Sequence, residues 1–306
     1  MPGHPVVRVS SLRKSYGPTV AVADVSFDVL EGEIFGLIGP NGAGKTTTME
    51  CVEGIRRPDG GEISVLGLDP HRSPYELQHR IGVQLQQAQL QKRIKVWEAV
   101  DLWSSLYPKH VDGDALLEQL GLEDKRNSWF MTLSGGQKQR LFIALALIND
   151  PELVFLDELT TGLDPQARRA IWLLVTGIRE RGKTVFLTTH LMEEAERLCD
   201  RIAIIEHGRV IEMDTPAALV KKHCPERGVV FSCDSRITAA ELRVIAGIDE
   251  VTEDGGTYRL EGRGEDFVNE VIRFLSANDV HVRDFQTVMP TLEDVFLKLT
   301  GHGIRD

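Results

Sequence analysis

The chain has 306 residues and a formal net charge of −11, with 42% hydrophobic and 26% charged residues. This length allows two domains, and the composition is ordinary for a globular protein. The acidic balance argues against a general nucleic-acid binder, which is usually basic. No stretch reaches the roughly 18 apolar residues that span a bilayer. The start lacks the charged and apolar segments of a signal peptide, so we expect a cytoplasmic protein.

The first 50 residues contain the pattern of strands, a glycine-rich loop and a helix. Short strands are predicted at Val6–Val9 and Phe27–Val29, with a turn at residues 16–18. The continuous apolar run Ile34–Ile38 predicts a buried strand that leads directly into GPNGAGKTT, and a helix is expected from Thr46 onward. This order is the context that a phosphate-binding loop requires.

The middle of the chain predicts helices that alternate with buried strands. The pattern is mostly helical from Pro74 to about Gly121, and another helix is expected over Gln137–Ile148. The apolar runs Val154–Leu156 and Val185–Thr188 predict central parallel strands. A hairpin is expected over residues 202–213.

The pattern changes after about Lys222, where we predict a boundary between domains 1–221 and 222–306. The second domain has the strand-helix-strand-strand-helix-strand order of a small α+β ferredoxin-like unit. A last amphipathic helix is expected over Thr291–Leu299. The other elements are expected at Val229–Cys233, Ala239–Ala246, Val251–Glu253, Tyr258–Leu260, Phe267–Ala277 and Val280–Phe285.

The glycine-rich loop predicts a site for a nucleoside triphosphate. Its glycines let the backbone curl so that N–H groups point at phosphate oxygens, and the start of the following helix favours anions. Lys45 would place a positive charge on the β and γ phosphates, and the Thr46 hydroxyl would ligate Mg²⁺. The predicted nucleotide-binding residues of the loop are Gly39, Pro40, Asn41, Gly42, Ala43, Gly44, Lys45, Thr46 and Thr47.

Two carboxylates, Asp157 and Glu158, follow an apolar run. A carboxylate at the end of a central strand beside a phosphate loop can hold Mg²⁺, directly or through water. Its neighbour can orient or deprotonate the attacking water. We therefore expect Asp157 to ligate the metal with Thr46, and Glu158 to act as the general base. The simpler alternative is an acidic strand end that faces solvent.

Five motifs occur together in the order and spacing of ABC-transporter ATPase subunits. They are GPNGAGKTT, LSGGQKQR at 133–140, LVFLDE at 153–158, TTGLD at 160–164 and TVFLTTH, which ends at His190. The chain resembles this family over Val6–Leu219. The resemblance implies a P-loop α/β fold with a mixed central sheet, an antiparallel β subdomain and a helical subdomain. It also implies ATP and Mg²⁺ as cofactors.

The resemblance assigns further roles by position. Tyr16 resembles the aromatic residue that stacks on adenine, and His190 the switch histidine that contacts the γ-phosphate as a catalytic group. Gln86 resembles the glutamine that joins Mg²⁺ and the γ-phosphate to the transporter interface, which makes it both a catalytic and a metal residue. Asp164 resembles the aspartate that contacts the second subunit across the dimer.

The signature residues Ser134, Gly135 and Gly136 precede a predicted helix and can offer N–H groups and a hydroxyl to an anion. In the family this surface closes over the γ-phosphate held by a second copy, so that two ATP molecules lie between two subunits. The alternative is an ordinary helix N-cap by Ser134, and both descriptions can hold at once. One departure from the family is Leu159, which stands where a proline usually follows the catalytic glutamate.

The tail MPTLEDVFLKLTG at residues 289–301 resembles that of ATPase subunits of ABC-2 type exporters, the group with daunorubicin-resistance proteins. We therefore expect an ATPase that works as a dimer, a second copy or a paralogue, on the inner face of the membrane. It would drive efflux through a separate ABC-2 type permease. Trp97 or Trp103, if exposed, could contribute to the docking of this permease, and the alternative for either tryptophan is a place in the core. Two alternatives are a non-transport ATPase acting on nucleic acid or ribosomes and a regulator that only binds ATP.

Overall fold

The structure is a computed structural model that describes residues 3–84, 89–233, 237–264 and 266–301. The chain forms two compact units, and the change from one to the other falls between Pro216 and Ala217. Within the described residues, no helix combines the length and the apolar character needed to cross a membrane.

A nine-stranded mixed sheet forms the centre of the first unit. Its strands are β1 (Pro5–Tyr16), β2 (Thr19–Leu30), β3 (Ile34–Ile38), β4 (Gly60–Val65), β5 (Ile81–Gln84), β6 (Leu153–Asp157), β7 (Thr184–Thr189), β8 (Arg201–Glu206) and β9 (Arg209–Asp214). Their order in the sheet is β4-β1-β2-β9-β8-β3-β7-β6-β5. The neighbours from β8 to β5 are parallel, whereas β1 pairs antiparallel with β2 and β4, and β8 with β9.

This topology brings the phosphate loop and the acidic motif to one edge of the sheet. The strands β3, β7 and β6 are adjacent and parallel, so the loops that follow them leave the sheet at the same end. All three strands are fully buried, which agrees with the continuous apolar runs of their sequences. The predicted central parallel strands are therefore confirmed.

Helices cover this sheet and connect its strands. They are α1 (Lys45–Val52), α2 (Pro74–Gln78), α3 (Val96–Ser104), α4 (Gly113–Gln119), α5 (Gly135–Leu147), α6 (Pro165–Glu180) and α7 (Met192–Leu198). The helix α8 (Pro216–His223) begins at the change from the first unit to the second. The core beneath them contains four phenylalanines, whose ring centres lie 5.3 to 5.6 Å apart in the contacting pairs. These residues are Phe27, Phe35, Phe155 and Phe186.

The second unit has the predicted ferredoxin-like order. Its elements are β10 (Arg227–Cys233), α9 (Ala239–Leu242), β11 (Ile248–Asp254), β12 (Thr257–Gly262), α10 (Phe267–Ala277), β13 (Val282–Val288) and α11 (Leu292–Thr300). The four strands form an antiparallel sheet in the order β11-β12-β10-β13. The packing of α9 and α10 on the sheet buries a separate apolar core that includes Phe231, Leu260 and Val271.

Some sequence-based predictions were wrong in detail. The mostly helical stretch from Pro74 to Gly121 contains the strand β5, and β4 was not predicted. A segment as short as the four residues of β5 cannot be told from a helix segment by periodicity, and β5 is fixed by its distant partner β6. The strand β4 begins with two glycines, which weaken the strand signal. The helix expected over Ala239–Ala246 ends at Leu242, and β13 lies about two residues later than expected.

Candidate active site

The phosphate loop packs so closely against two neighbouring segments that two of its positions have no room for a side chain. A Cβ atom on Gly39 would lie 2.2 Å from the Ile205 carbonyl oxygen, and one on Gly44 would lie 2.3 Å from the Ala21 carbonyl oxygen. Gly44 also has a φ of 103°, in the left-handed region. Only glycine fits both requirements at position 44.

The first turn of α1 points free backbone donors at this loop. Gly44 is the N-cap of α1, no side chain caps the helix among the described residues, and its first turn contains no acidic residue. The first N–H groups of a helix have no partner inside the helix, and the helix dipole adds a positive potential there. This end of α1 is therefore suited to phosphate oxygens.

Lys45 is only 4% exposed, and its ammonium group points back into the loop. Its Nζ donates hydrogen bonds to the Gly39 carbonyl at 2.9 Å and to the Pro40 carbonyl at 3.0 Å. The Glu158 carboxylate lies 3.6 Å from the same nitrogen. Burial lowers the pKa of Lys45, while the carboxylates of Glu158 and Asp157 act against that shift. The carbonyl groups of the phosphate loop thus hold the Lys45 ammonium group beside the place where phosphate would bind.

Asp157 ends β6 with a carboxylate that is almost fully buried. It accepts a hydrogen bond from the Thr188 hydroxyl, and the Thr46 hydroxyl approaches the same oxygen within 3.5 Å. Burial raises the pKa of Asp157, and the bond from Thr188 opposes this rise. The hydroxyl of Thr46 and the carboxylate of Asp157 are hard oxygen donors, which Mg²⁺ prefers.

Glu158 adopts a backbone conformation that is unfavourable for a non-glycine residue, with φ at 46°. Its N–H donates to Thr188 of the neighbouring strand, 3.2 Å from both the carbonyl and the hydroxyl oxygen. This arrangement brings Glu158 Oε1 to 3.6 Å from Lys45 Nζ and 3.5 Å from His190 Nδ1. Strain at one residue therefore accompanies the meeting of three predicted catalytic groups.

A cavity of about 380 Å³ opens at this edge of the sheet. Tyr16 is 40% exposed at its rim, and the guanidinium carbon of Arg56 lies 5.2 Å from its ring centre. The lining thus combines an aromatic ring with the phosphate loop and a carboxylate. Its residues are Tyr16, Ala21, Asn41, Gly42, Gly44, Lys45, Thr46, Thr47 and Glu158.

The signature segment lies elsewhere on the first unit. Ser134 is the N-cap of α5 and forms a capping box with Gln137: the Gln137 N–H donates to the Ser134 hydroxyl, and the Gln137 side chain accepts from the Ser134 N–H. In the following turn, Gly136 packs against Ala167 of α6. Asp164 caps α6 by accepting the N–H groups of Gln166 and Ala167.

Ser134 and Gly135 are exposed, and so is Asp164. Among the described residues, none of the signature segment lines the cavity around Lys45. The structure therefore brings together the phosphate loop, Asp157, Glu158 and His190. It groups the signature and Asp164 at a second location.

Gln86 lies outside the described residues. Leu159 is buried, with 3% of its surface exposed, and the loop that it begins closes through two turns. In these turns the Thr161 N–H donates to the Glu158 carbonyl, and the Leu163 N–H donates to the Thr160 carbonyl.

Sequence reasoning did not identify two polar residues that support the site. Thr188 bonds to Asp157 and Glu158, while the buried Glu194 accepts hydrogen bonds from Thr160 and from Trp172. A signal was present for Thr188, because a polar residue in an otherwise apolar buried strand requires a partner. Glu194 sits in a helix that reads as ordinary and amphipathic, so its burial depends on the tertiary fold.

Two family models match different parts of the chain. A model described as ABC transporter matches residues 22–161, and one described as ATP-binding protein DrrA1-3-like, C-terminal domain, matches residues 220–300.

Curated relatives match nearly the whole chain. The Nod factor export ATP-binding protein I of Sinorhizobium fredii (strain NBRC 101917 / NGR234) is 39% identical over 98% of this chain and 87% of its own length. Its namesake in Rhizobium etli (strain ATCC 51251 / DSM 11541 / JCM 21823 / NBRC 15573 / CFN 42) is 40% identical over 95% and 92%. This chain belongs to the ATP-binding subunits of ABC transporters.

Solved structures of the family agree with the fold of the first unit. An ATP-binding subunit of an ABC transporter has a TM-score of 0.64 and 29% identity, over 71% of this chain and 92% of that one. The dimeric structure of MJ0796, a bacterial ABC transporter cassette, has a TM-score of 0.60 and 28% identity, over 68% and 98%. The predicted fold class is therefore confirmed.

Membership of the family confirms the main functional predictions. The chain is an ATP-binding subunit of an ABC exporter, and as an ABC cassette it hydrolyses ATP. The relatives favour this function over a non-transport ATPase that acts on nucleic acid or ribosomes. Hydrolysis likewise excludes a regulator that only binds ATP.

Proposed function

We propose that two subunits, either two copies of this chain or this chain and a paralogue, hold two ATP molecules between them. Hydrolysis would drive efflux through a separate ABC-2 type permease at the inner face of the membrane. The observation that carries this proposal is that Glu158 lies close to both Lys45 and His190 at the phosphate loop, while Ser134 lies exposed at another location.

Each group of the site has a role that its position supports. Tyr16 stacks on the adenine ring, and Lys45 with the N–H groups of the phosphate loop binds the β and γ phosphates. Glu158 accepts the proton of the attacking water, and His190 donates a hydrogen bond to the γ-phosphate. The Glu158 carboxylate lies 3.6 Å from Lys45 in this structure. Nucleotide binding would replace this contact by one between Lys45 and a phosphate group.

Mg²⁺ fits the oxygen donors beside the loop. Thr46 and Asp157 would hold it there, together with Gln86, which lies outside the described residues. When bound, the ion neutralises negative charge on the phosphate oxygens. The burial that raises the pKa of Asp157 would be offset by the cation, which favours the ionised carboxylate.

The exposed signature segment supports a contact in trans. The N–H groups at the start of α5 can bind the γ-phosphate of the ATP on the other subunit, and Asp164 would face the same interface. The capping box occupies the N–H groups of Ser134 and Gln137, so the other N–H groups of the first turn are not part of it. Ser134 therefore serves both as helix cap and as dimer contact.

Ser134→Arg tests this contact by adding bulk and charge at the interface. We expect it to abolish ATP-dependent dimerisation, measured by light scattering with a slowly hydrolysed ATP analogue. Ser134→Ala is the control, because it removes the capping hydroxyl without adding bulk. Unchanged dimerisation of Ser134→Arg would contradict the sandwich.

A groove of about 740 Å³ on the first unit supports the permease contact. Its lining includes Gln84 of β5, Trp103 of α3 and the exposed side chains Tyr75 and Leu106. Trp97, by contrast, lies under the guanidinium of Arg126, 5.7 Å from the ring centre. We propose that a cytoplasmic helix of the permease occupies the groove and that Trp103 is the tryptophan that contacts it.

The buried Glu53 indicates the charge of that helix. Glu53 lines the groove, and its Oε1 accepts no hydrogen bond from any described residue. Burial raises its pKa well above the ordinary value, and the nearby Asp157 and Glu50 add to the rise. A lysine or arginine of the permease would satisfy this carboxylate.

The DrrA-like second unit and the export relatives support an ABC-2 type permease. The relatives are named for export of Nod factor, and a drug, an antibiotic or a lipid-like molecule is the cargo class that we propose here. We place the domain boundary near residue 222 and propose a regulatory or dimerising role for the second domain, with stabilisation of the chain as the alternative.

The partner is tested by co-expressing the chain with ABC-2 type permeases and purifying the complex in detergent. We expect a complex in which the permease stimulates ATP hydrolysis. Association with ribosomes or DNA, and with no membrane protein, would refute the proposed transport role.

A further inference from the structure

A buried carboxylate behind the active site joins three segments that carry site residues. Glu194 lies in the first turn of α7 and is only 1% exposed. Its Oε1 accepts a hydrogen bond from the Thr160 hydroxyl at 2.8 Å and another from the Trp172 Nε1–H at 2.9 Å. Both donors are also buried.

Each of these donors belongs to a segment anchored at the site. Thr160 lies in the loop between Glu158 and Asp164, two residues after the general base. Trp172 lies in α6, the helix that Asp164 caps. Glu194 itself lies in α7, which begins two residues after His190. One carboxylate oxygen therefore connects the general-base loop, the helix of the dimer contact and the helix of the switch histidine.

Packing alone does not explain a glutamate at this position. The two donors to its Oε1, the Thr160 hydroxyl and the Trp172 Nε1–H, are both neutral. A buried carboxylate with only neutral donors is expensive to desolvate, and an apolar residue of similar volume would often give a more stable protein. The carboxylate instead accepts two directional hydrogen bonds, one from the loop that contains Thr160 and one from α6, and thereby fixes these segments relative to each other.

The site needs such a constraint because its geometry is strained. Glu158 is held at a φ of 46°, and its carboxylate lies 3.5 Å from His190. A relaxed loop would move Glu158 away from the γ-phosphate. A misplacement of about 1 Å at a catalytic group can cost roughly a hundredfold in rate.

We propose that Glu194 is a positioning residue for ATP hydrolysis. Through Thr160 and Trp172 it fixes the loop of Glu158 against the helix that follows His190, so that both groups face the γ-phosphate together. Glu194 does not line the cavity around Lys45. Its loss should therefore lower kcat and leave the KM for ATP nearly unchanged.

The test uses substitutions of Thr160 in the full-length chain, with ATPase kinetics as the readout. Thr160→Val keeps the shape and removes the hydroxyl, and we expect kcat to fall about tenfold or more with KM within twofold. Thr160→Ser restores the hydroxyl and should recover most of the rate. Thr176→Val is the control, because it removes a hydroxyl that bonds to the Trp172 carbonyl within α6 and lies outside the network.

Glu194→Gln and Trp172→Phe test the same network from its other members. In a His190→Ala background, the loss caused by Glu194→Gln should shrink, because one of the two groups that it positions is gone. Equal kcat for wild type and Thr160→Val would overturn the proposal. A fall in Thr160→Ser as large as in Thr160→Val would also overturn it, since a general packing role predicts no rescue by the hydroxyl.

Discussion

The two units of this chain bury very different side chains. In the first unit, several charged or strongly polar side chains are almost fully buried, among them Lys45, Glu53, Asp157 and Glu194. In the described part of the second unit, no lysine, arginine, aspartate or glutamate is buried to that degree, and the core is apolar. Both units are nevertheless sheets covered by helices.

The buried charged side chains indicate that the first unit carries out the chemistry, whereas the interior of the second unit serves packing. Burying a charged group costs free energy unless it is paired or hydrogen-bonded, so such groups are retained where their geometry serves a purpose. In the first unit, Lys45 and Asp157 lie at the phosphate loop, and Glu194 lies behind the site. The second unit carries no comparable cluster within its described residues, which favours a binding or stabilising role for it.

The largest expected effect comes from replacing Glu158, the proposed general base. Glu158→Gln should lower turnover by about 100-fold to 10,000-fold, because the amide cannot accept the proton of water, while ATP binding remains. Single-turnover hydrolysis and nucleotide binding measure the two properties separately. A variant that turns over at the wild-type rate would remove the base assignment and with it the chemical interpretation of the first unit.

The second unit should respond to a loss of packing alone. Phe231→Ala removes a ring that is 1% exposed, and we expect the second unit to lose about 3–5 kcal/mol of stability. Thermal unfolding of the full chain should show this, while kcat of ATP hydrolysis changes less than twofold. Val244→Ala, at a side chain 73% exposed, is the control and should have little effect. A large fall in kcat would contradict the functional separation of the units.

Substitutions at two glycines of the phosphate loop distinguish the cost of backbone strain from the cost of a steric clash. Gly42 has a φ of 82° with open space around it, so Gly42→Ala should cost about 1 kcal/mol. Gly44→Ala adds a clash with the Ala21 carbonyl, and we expect ATP affinity and stability to fall by at least about 3 kcal/mol. Calorimetric binding and thermal unfolding test the order. Equal losses would mean that the loop can move away from Ala21.

The smallest expected effect is a gain in stability. Burial raises the pKa of Glu53 above its ordinary value of 4.5, so its ionised form disfavours folding at neutral pH. Glu53→Gln should therefore stabilise the isolated chain by about 1 kcal/mol at pH 8. The gain should shrink as the pH falls toward 4.5, where the wild-type carboxyl becomes protonated in both states.

Melting curves from pH 8 to 5 measure this difference. Glu50→Gln is the comparison, because Glu50 is partly exposed and paired with Arg56. Its replacement removes this pair together with part of the repulsion on Glu53, so any gain should be smaller than that of Glu53→Gln. A constant difference across the pH range would show that the Glu53 carboxyl is not the source of the effect.

Much of the fold could be predicted because its signals are local. The buried strands β3, β6 and β7 are continuous apolar runs, and the glycine-rich loop between β3 and α1 has its full motif in one stretch of sequence. The order of elements in the second unit was also predictable, since each has its own periodicity. The strands β4 and β5 were missed because distant strands define them, β1 in one case and β6 in the other.

The sequence by itself determined the family, the nucleotide and the types of residue in the site, because the motifs are contiguous and each residue type has one suitable chemistry. Only the tertiary structure decided which groups meet. Glu158 reaches Lys45 and His190 across three adjacent strands, and the burial of Glu194 depends on residues that are far apart in the chain. The distances between these side chains and their removal from water arise from packing between segments, so they cannot be predicted from a local sequence pattern.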